Sequence, residues 1–116
     1  MRVVWLRKQY QALQQYRSLA PLSNAAWKLQ TYAINLKQYI RGVDDKALKA
    51  LDEIEAIAKN ISRAIKRGNI EEVKRLAKEA AEWRSIVAQA MAKVDDEGAQ
   101  KSYFEMSGAI DDLGKN

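Results

Sequence analysis

The chain has no cysteine and no histidine, one proline, and only five glycines. Without cysteine there is no disulfide framework, no thiol nucleophile and no thiolate metal site. Without histidine the commonest general base, the commonest transition-metal ligand and the usual pH switch are all missing. Uninterrupted apolar runs are a few residues long, far short of the roughly 20 that a membrane-spanning helix needs. The start of the chain, Met1-Arg-Val-Val-Trp-Leu-Arg-Lys, is too short in its apolar part for a signal peptide. Five scattered glycines cannot build a phosphate-cradling loop, and no Walker, dinucleotide, nucleophile-elbow or EF-hand pattern occurs. These absences lead us to expect a soluble, cytoplasmic, non-enzymatic protein. No cofactor, no metal, no membrane and no small-molecule substrate is expected.

Acidic residues are missing from one part of the chain only. The 116 residues carry 20 Lys+Arg against 15 Asp+Glu, a net charge of +5. Residues 1–43 hold Arg2, Arg7, Lys8, Arg17, Lys28, Lys37 and Arg41 and no acid, so this segment is +7 while residues 44–116 are −2. The same segment contains Trp5, Tyr10, Tyr16, Trp27, Tyr32 and Tyr39, with glutamines at 9, 11, 14, 15, 30 and 38. Basic residues interleaved with rings and amides suit a phosphate backbone, with ring faces or amide edges left for bases. The competing reading is a helix pair whose tyrosines edge the core and whose lysines solvate the surface. Solvated helix faces normally mix acids with bases, and that mixture is missing here.

Periodicity is helical throughout, with no strand-type alternation. The spacing predicts a helix over roughly residues 2–19, seamed by Val3, Leu6, Tyr10 and Leu13 and ending before Pro21. A second is expected after Ser23 or Asn24, with Ala26, Leu29, Ala33, Leu36, Ile40 and Val43 as its seam. A third opens at Asp44-Asp45 and buries Ala47, Leu51, Ile54, Ala58, Ile61 and Ile65, stopping at Gly68. Asn69 and Glu72 form a capping box for a fourth, seamed by Val73, Leu76, Ala80, Trp83, Val87, Ala90 and Val94. After Asp95-Asp96-Glu97-Gly98 comes a short last helix with Tyr103, Met106, Ile110 and Leu113 on one side. The expected fold is all-α: an antiparallel bundle of four main helices plus a short C-terminal helix. It makes one domain over residues 1–116, divided into a basic pair (1–43), a hairpin (44–98) and a short helix and tail (99–116).

Two surface features stand apart from this scheme. Arg63, Lys66, Arg67, Lys74, Arg75 and Lys78 cluster near the tip of the hairpin against Glu71 and Glu72, forming a second basic patch or simply a solvated tip. Trp27 and Ile34 fall nearly opposite the seam of their helix, where a monomeric bundle has no use for them. Another helix of the chain, a neighbouring subunit, or a stacked base beside Lys37 and Arg41 would account for them. Asp95-Asp96-Glu97 and Asp111-Asp112 could bind a divalent cation weakly, but such helix-terminal acids are more often caps and dipole partners.

The leading expectation is a non-catalytic helical subunit that holds a nucleic-acid backbone, RNA or DNA, within a larger nucleoprotein assembly. Its contacts would be Arg2, Arg7, Lys8, Arg17, Lys28, Lys37 and Arg41, with Arg63, Lys66, Arg67, Lys74 and Lys78 as a second patch. The alternative is a protein-interaction or self-assembling bundle, a viral coat or designed scaffold included, docking through Trp27 and Ile34. In size, helix count and the basic Arg2–Arg41 segment, the chain resembles the small subunits of CRISPR effector complexes. That resemblance implies an antiviral ribonucleoprotein whose subunits multimerise and steady bound strands with basic helix faces. Helical coat proteins of filamentous viruses share the format.

Overall fold

A computed structural model of the chain describes the backbone of residues 2–115 and the side chains of residues 19–115. Its elements are α1 (Arg2–Ile40), α2 (Asp45–Lys66), α3 (Ile70–Met91) and α4 (Glu97–Lys115). No strand occurs among the described residues. The break expected at Pro21 does not exist. α1 is one helix of 39 residues with Pro21 inside it, so the two helices expected over residues 2–43 are one. The last helix is a fourth wall of the structure, 19 residues long, instead of a short fifth element.

Pro21 is tolerated for two reasons. It removes the N–H that would bond the carbonyl of residue 17, but it is exposed, so water can serve that carbonyl. Meanwhile Leu22, Ala25, Ala26 and Leu29 continue the buried stripe of Ala33, Leu36 and Ile40 without a phase change. Packing holds the helix through its weakest rung.

Helix ends follow local chemistry. Gly42 (φ +79°) and Gly68 (φ +70°) take the left-handed conformation that turns the chain after α1 and α2. Asp44 caps α2, accepting from the Ala47 N–H at 3.1 Å. Asn69 caps α3, accepting from Glu72 N–H at 3.2 Å. The Glu72 carboxylate does not reach back to complete a capping box; it pairs with Arg75. Asp96 caps the start of α4 by accepting from Ala99 N–H at 3.1 Å.

The helices pack in a ring, α1 on α2, α2 on α3, α3 on α4 and α4 on α1. One continuous core draws on all four: Leu29, Leu36 and Ile40 from α1, Leu51, Ile54 and Ile61 from α2, Val73 and Val87 from α3, and Met106, Ile110 and Leu113 from α4. The expected seams of α2, α3 and α4 are buried, with Trp83 and Tyr103 half-buried at the margin. Val43 is the exception: it lies in the turn beyond α1 and is exposed. Polar staples tie neighbours together. Asn35 donates to Ser102 Oγ at 2.6 Å between α1 and α4. Arg84 of α3 reaches Asp111 Oδ1 at 2.7 Å and the Ser107 carbonyl at 3.1 Å on α4.

α1 is longer than its neighbours. At about 1.5 Å per residue it spans about 58 Å, against about 33 Å for α2 and α3, and the molecule measures 63 × 22 × 18 Å. Leu19, Ala20 and Ser23 line a groove with Ile65 and Lys66, and Pro21 and Leu22 line another with Asp112 and Lys115. The body therefore ends level with residues 19–23, and residues 2–18 of α1 run about 25 Å past it.

Candidate nucleic-acid interface

The body's end at which α1 departs gathers basic residues from three helices. Lys66, the last residue of α2, shares its groove of about 360 Å³ with α1. Lys115, at the end of α4, lines a smaller one of about 260 Å³ beside Pro21 and Leu22. Lys74 and Lys78 of α3 meet Lys115 across a third groove of about 490 Å³, floored by Ala77, Ala81, Ile110 and Gly114. Arg67 is exposed in the turn that follows α2. Arg63 is exposed one turn earlier and donates to Asn60 Oδ1 at 3.3 Å. Lys115 was not among the expected contacts, because a next-to-last residue looks like a tail until α4 is seen to remain helical to that point.

Two of the acids at this end have basic partners. Asp111 accepts from Arg84. Glu72 pairs with Arg75, whose guanidinium holds the Glu72 carboxyl below its ordinary value. Glu55 and Lys59 approach at 4.0 Å, and Arg75 meets Glu79 at 3.8 Å as well as Glu72.

The expected contacts within residues 1–43 separate into three groups. Arg2, Arg7, Lys8 and Arg17 lie on the part of α1 that runs past the body; their side chains are outside the described residues. Lys28 is half-buried on α1, and Arg41 is exposed just after it. Lys37 is held within the fold by two acids. Its Nζ lies 2.6 Å from Asp52 Oδ1 and 2.5 Å from Glu55 Oε2 on α2, with its side chain only 17% exposed. Hydrogen bonds to Asp52 and then Glu55 hold its ammonium above the usual lysine value. The absence of acids along α1 was read along the chain, but the acids that answer Lys37 belong to the neighbouring helix.

Trp27 is 61% exposed and Ile34 46% exposed. Among the described residues no helix covers them, and the segment before Pro21 is part of the same helix. Phe104 of α4 is 76% exposed; it sits two residues from Met106, on the far side of that helix from the core, and the seam-based reading passed over it.

No metal-binding group of three or more acids occurs among the described residues. The two acidic clusters instead serve structure, Asp96 as a cap and Asp111 as the partner of Arg84. Among the described residues no helix is long and apolar enough to cross a membrane. No protein-family model, curated protein or solved structure matches the chain.

Proposed function

We propose that this protein is a non-catalytic subunit that holds a nucleic-acid backbone at the end of the body from which α1 projects. What supports the reading is that two basic regions separated in sequence adjoin at that end. Residues 2–18 of α1 bring Arg2, Arg7, Lys8 and Arg17 and no acid. The adjoining end of the body brings Lys66, Lys74, Lys78 and Lys115. Lys37 is engaged by Asp52 and Glu55, Lys28 lies farther along α1 and Arg41 just beyond its end. Contacts of this kind read charge spacing, not sequence, so RNA and DNA of several forms are acceptable ligands. The short connections support an antiparallel course for the helices, and the cytoplasmic, nucleoprotein setting implied by the small-subunit resemblance belongs to the same proposal.

A second reading, a protein-interaction module without nucleic-acid affinity, is favoured by the exposure of Trp27 and Ile34. Fluorescence anisotropy of labelled single- and double-stranded DNA and RNA across a salt series separates the two. Steep weakening with salt is expected, and replacing Arg7, Lys8 and Arg17 by glutamine should reduce the logarithmic salt slope by roughly two to three. Absence of binding to all four ligands at low salt would exclude the first reading for the isolated chain.

A further inference from the structure

Trp27 is 61% exposed on α1, and the residues one turn away from it set the chemistry of its surroundings. Three and four positions off in each direction stand Ser23, Asn24, Gln30 and Thr31. All four are uncharged side chains able to hydrogen-bond. Ile34, the other large apolar residue exposed on the described part of this helix, is seven positions away, about 10 Å along the axis. The indole is therefore a lone ring in polar surroundings, unlike the contiguous apolar patch that marks a protein-docking face.

α2 supplies charge beside this ring. Lys37 meets Asp52 and Glu55, and Ser23 shares its groove of about 360 Å³ with Ile65 and Lys66. Trp27 therefore stands level with the stretch of α2 between Glu55 and Lys66. Lys59 lies in that stretch on the Glu55 side of the helix, 4.0 Å from its carboxylate. Lys66 is seven residues further on and falls on the same side, about 10 Å along α2 from Lys59. It is exposed and has no ion-pair partner among the described residues. Residues 56–66 hold no acid, and neither does α1. The indole thus has a lysine toward each side along the helix axis and no carboxylate between them.

We propose that Trp27 is a stacking platform for an unpaired base, with Lys59 and Lys66 taking the flanking phosphates, so that the protein prefers a single strand to a duplex. This rests on the nucleic-acid reading above and adds to it the form of the ligand. The occupant is chosen by charge and by the make-up of the patch. An exposed ring, hydrogen-bonding groups at its margin and two cations match the face, the edge and the phosphodiesters of a nucleotide. A duplex offers the same phosphates, but its base faces are covered by neighbouring pairs, and only an unpaired base can be turned out onto the ring. Duplex can therefore use the lysines and not the indole.

The test titrates the full chain against labelled oligothymidine, single-stranded or annealed to its complement, and reads anisotropy. At equal salt the single strand should bind more tightly. Trp27→Ala should weaken single-strand binding by about fivefold or more and leave duplex binding within about twofold of wild type. Circular dichroism should not change, since the side chain is exposed. Trp27→Tyr keeps a ring and should retain most of the affinity. Lys66→Gln should lower the logarithmic salt slope for the single strand by about 0.7. In a Trp5→Phe background the oligothymidine should quench indole emission, and adding Trp27→Phe should remove that quenching. Binding to both forms that is indifferent to Trp27→Ala, or lowered equally for the two, would overturn the platform and leave the nucleic-acid reading standing. Binding to neither form at low salt would overturn that reading itself, and the platform with it.

Discussion

Lys37 of α1 and Glu55 of α2 lock together at 2.5 Å, with Asp52 2.6 Å from the same ammonium. A basic residue that charge counting assigns to a ligand is thus spent inside the fold, between two helices. Lys37→Gln should lower stability by about 1 kcal/mol, a modest figure because solvent reaches Asp52 and screens the pair. The same variant should keep nucleic-acid affinity near that of the wild type. Arg7→Gln, Lys8→Gln and Arg17→Gln should show the reverse, with reduced affinity at an unchanged melting temperature. Thermal melts and anisotropy titrations on the same four proteins check this division of labour.

Gly98 marks a close approach of α4 to α1. A β-carbon placed there would lie 2.5 Å from the Tyr39 hydroxyl oxygen and 3.0 Å from Asp96 Oδ1. Gly98→Ala should therefore displace the Tyr39 ring end, at a net cost of at most about 1 kcal/mol because alanine is the better helix former. Removing the hydroxyl as well, in Gly98→Ala with Tyr39→Phe, should recover part of the loss. Chemical denaturation of the two single variants and the double variant closes this cycle; strict additivity would show that the two sites do not meet.

Pro21 invites a test of helix continuity. With the buried stripe running through it, Pro21→Ala restores an N–H to the rung ending at residue 17 and removes the ring. The melting temperature should rise, with a gain of up to about 3 kcal/mol. A loss of stability would mean that the chain turns at this point and needs the proline to do so.

The acid limb of stability should depend on Asp44. Its carboxyl is held below the ordinary aspartate value, first by the Ala47 N–H and then by Lys93. A depressed folded-state pKa means that the contribution is complete above the ordinary carboxylate range and is lost as pH falls through the lowered value. Asp44→Asn still caps α2 but does not titrate, so its stability should fall less steeply below that range. Lys37 gives the opposite sign. Its pKa is raised, so its contribution is complete below the usual lysine value and disappears as pH climbs through the raised one. Melts across the full pH range, with Lys37→Gln lacking the alkaline step, read both limbs.

Much of the body is legible in the sequence because its determinants are local. Asp44 and Asn69 announce helix starts, and Gly42 and Gly68 mark chain turns. The seams of α2 and α3 keep a period that fits nothing else. Pro21 misled because a proline's local preference is strong, and the packing of Leu22, Ala26 and Leu29 that outweighs it acts at a distance. The fate of Lys37 was hidden for a similar reason: its partners are 15 and 18 positions away in the chain, and only the pairing of α1 with α2 brings them together. Of the candidate interface, the acid-free start of α1 could be read directly. The gathering of Lys66, Lys74 and Lys115 around its exit required the tertiary arrangement.

The proline also sets the mechanics of the projecting segment. Its missing rung falls where the last core contacts of α1 give way to open helix, so resistance to bending is lowest at the fulcrum and higher on either side. A load on the far end of α1 would be taken up as a change of angle at Pro21, leaving the four-helix core undistorted.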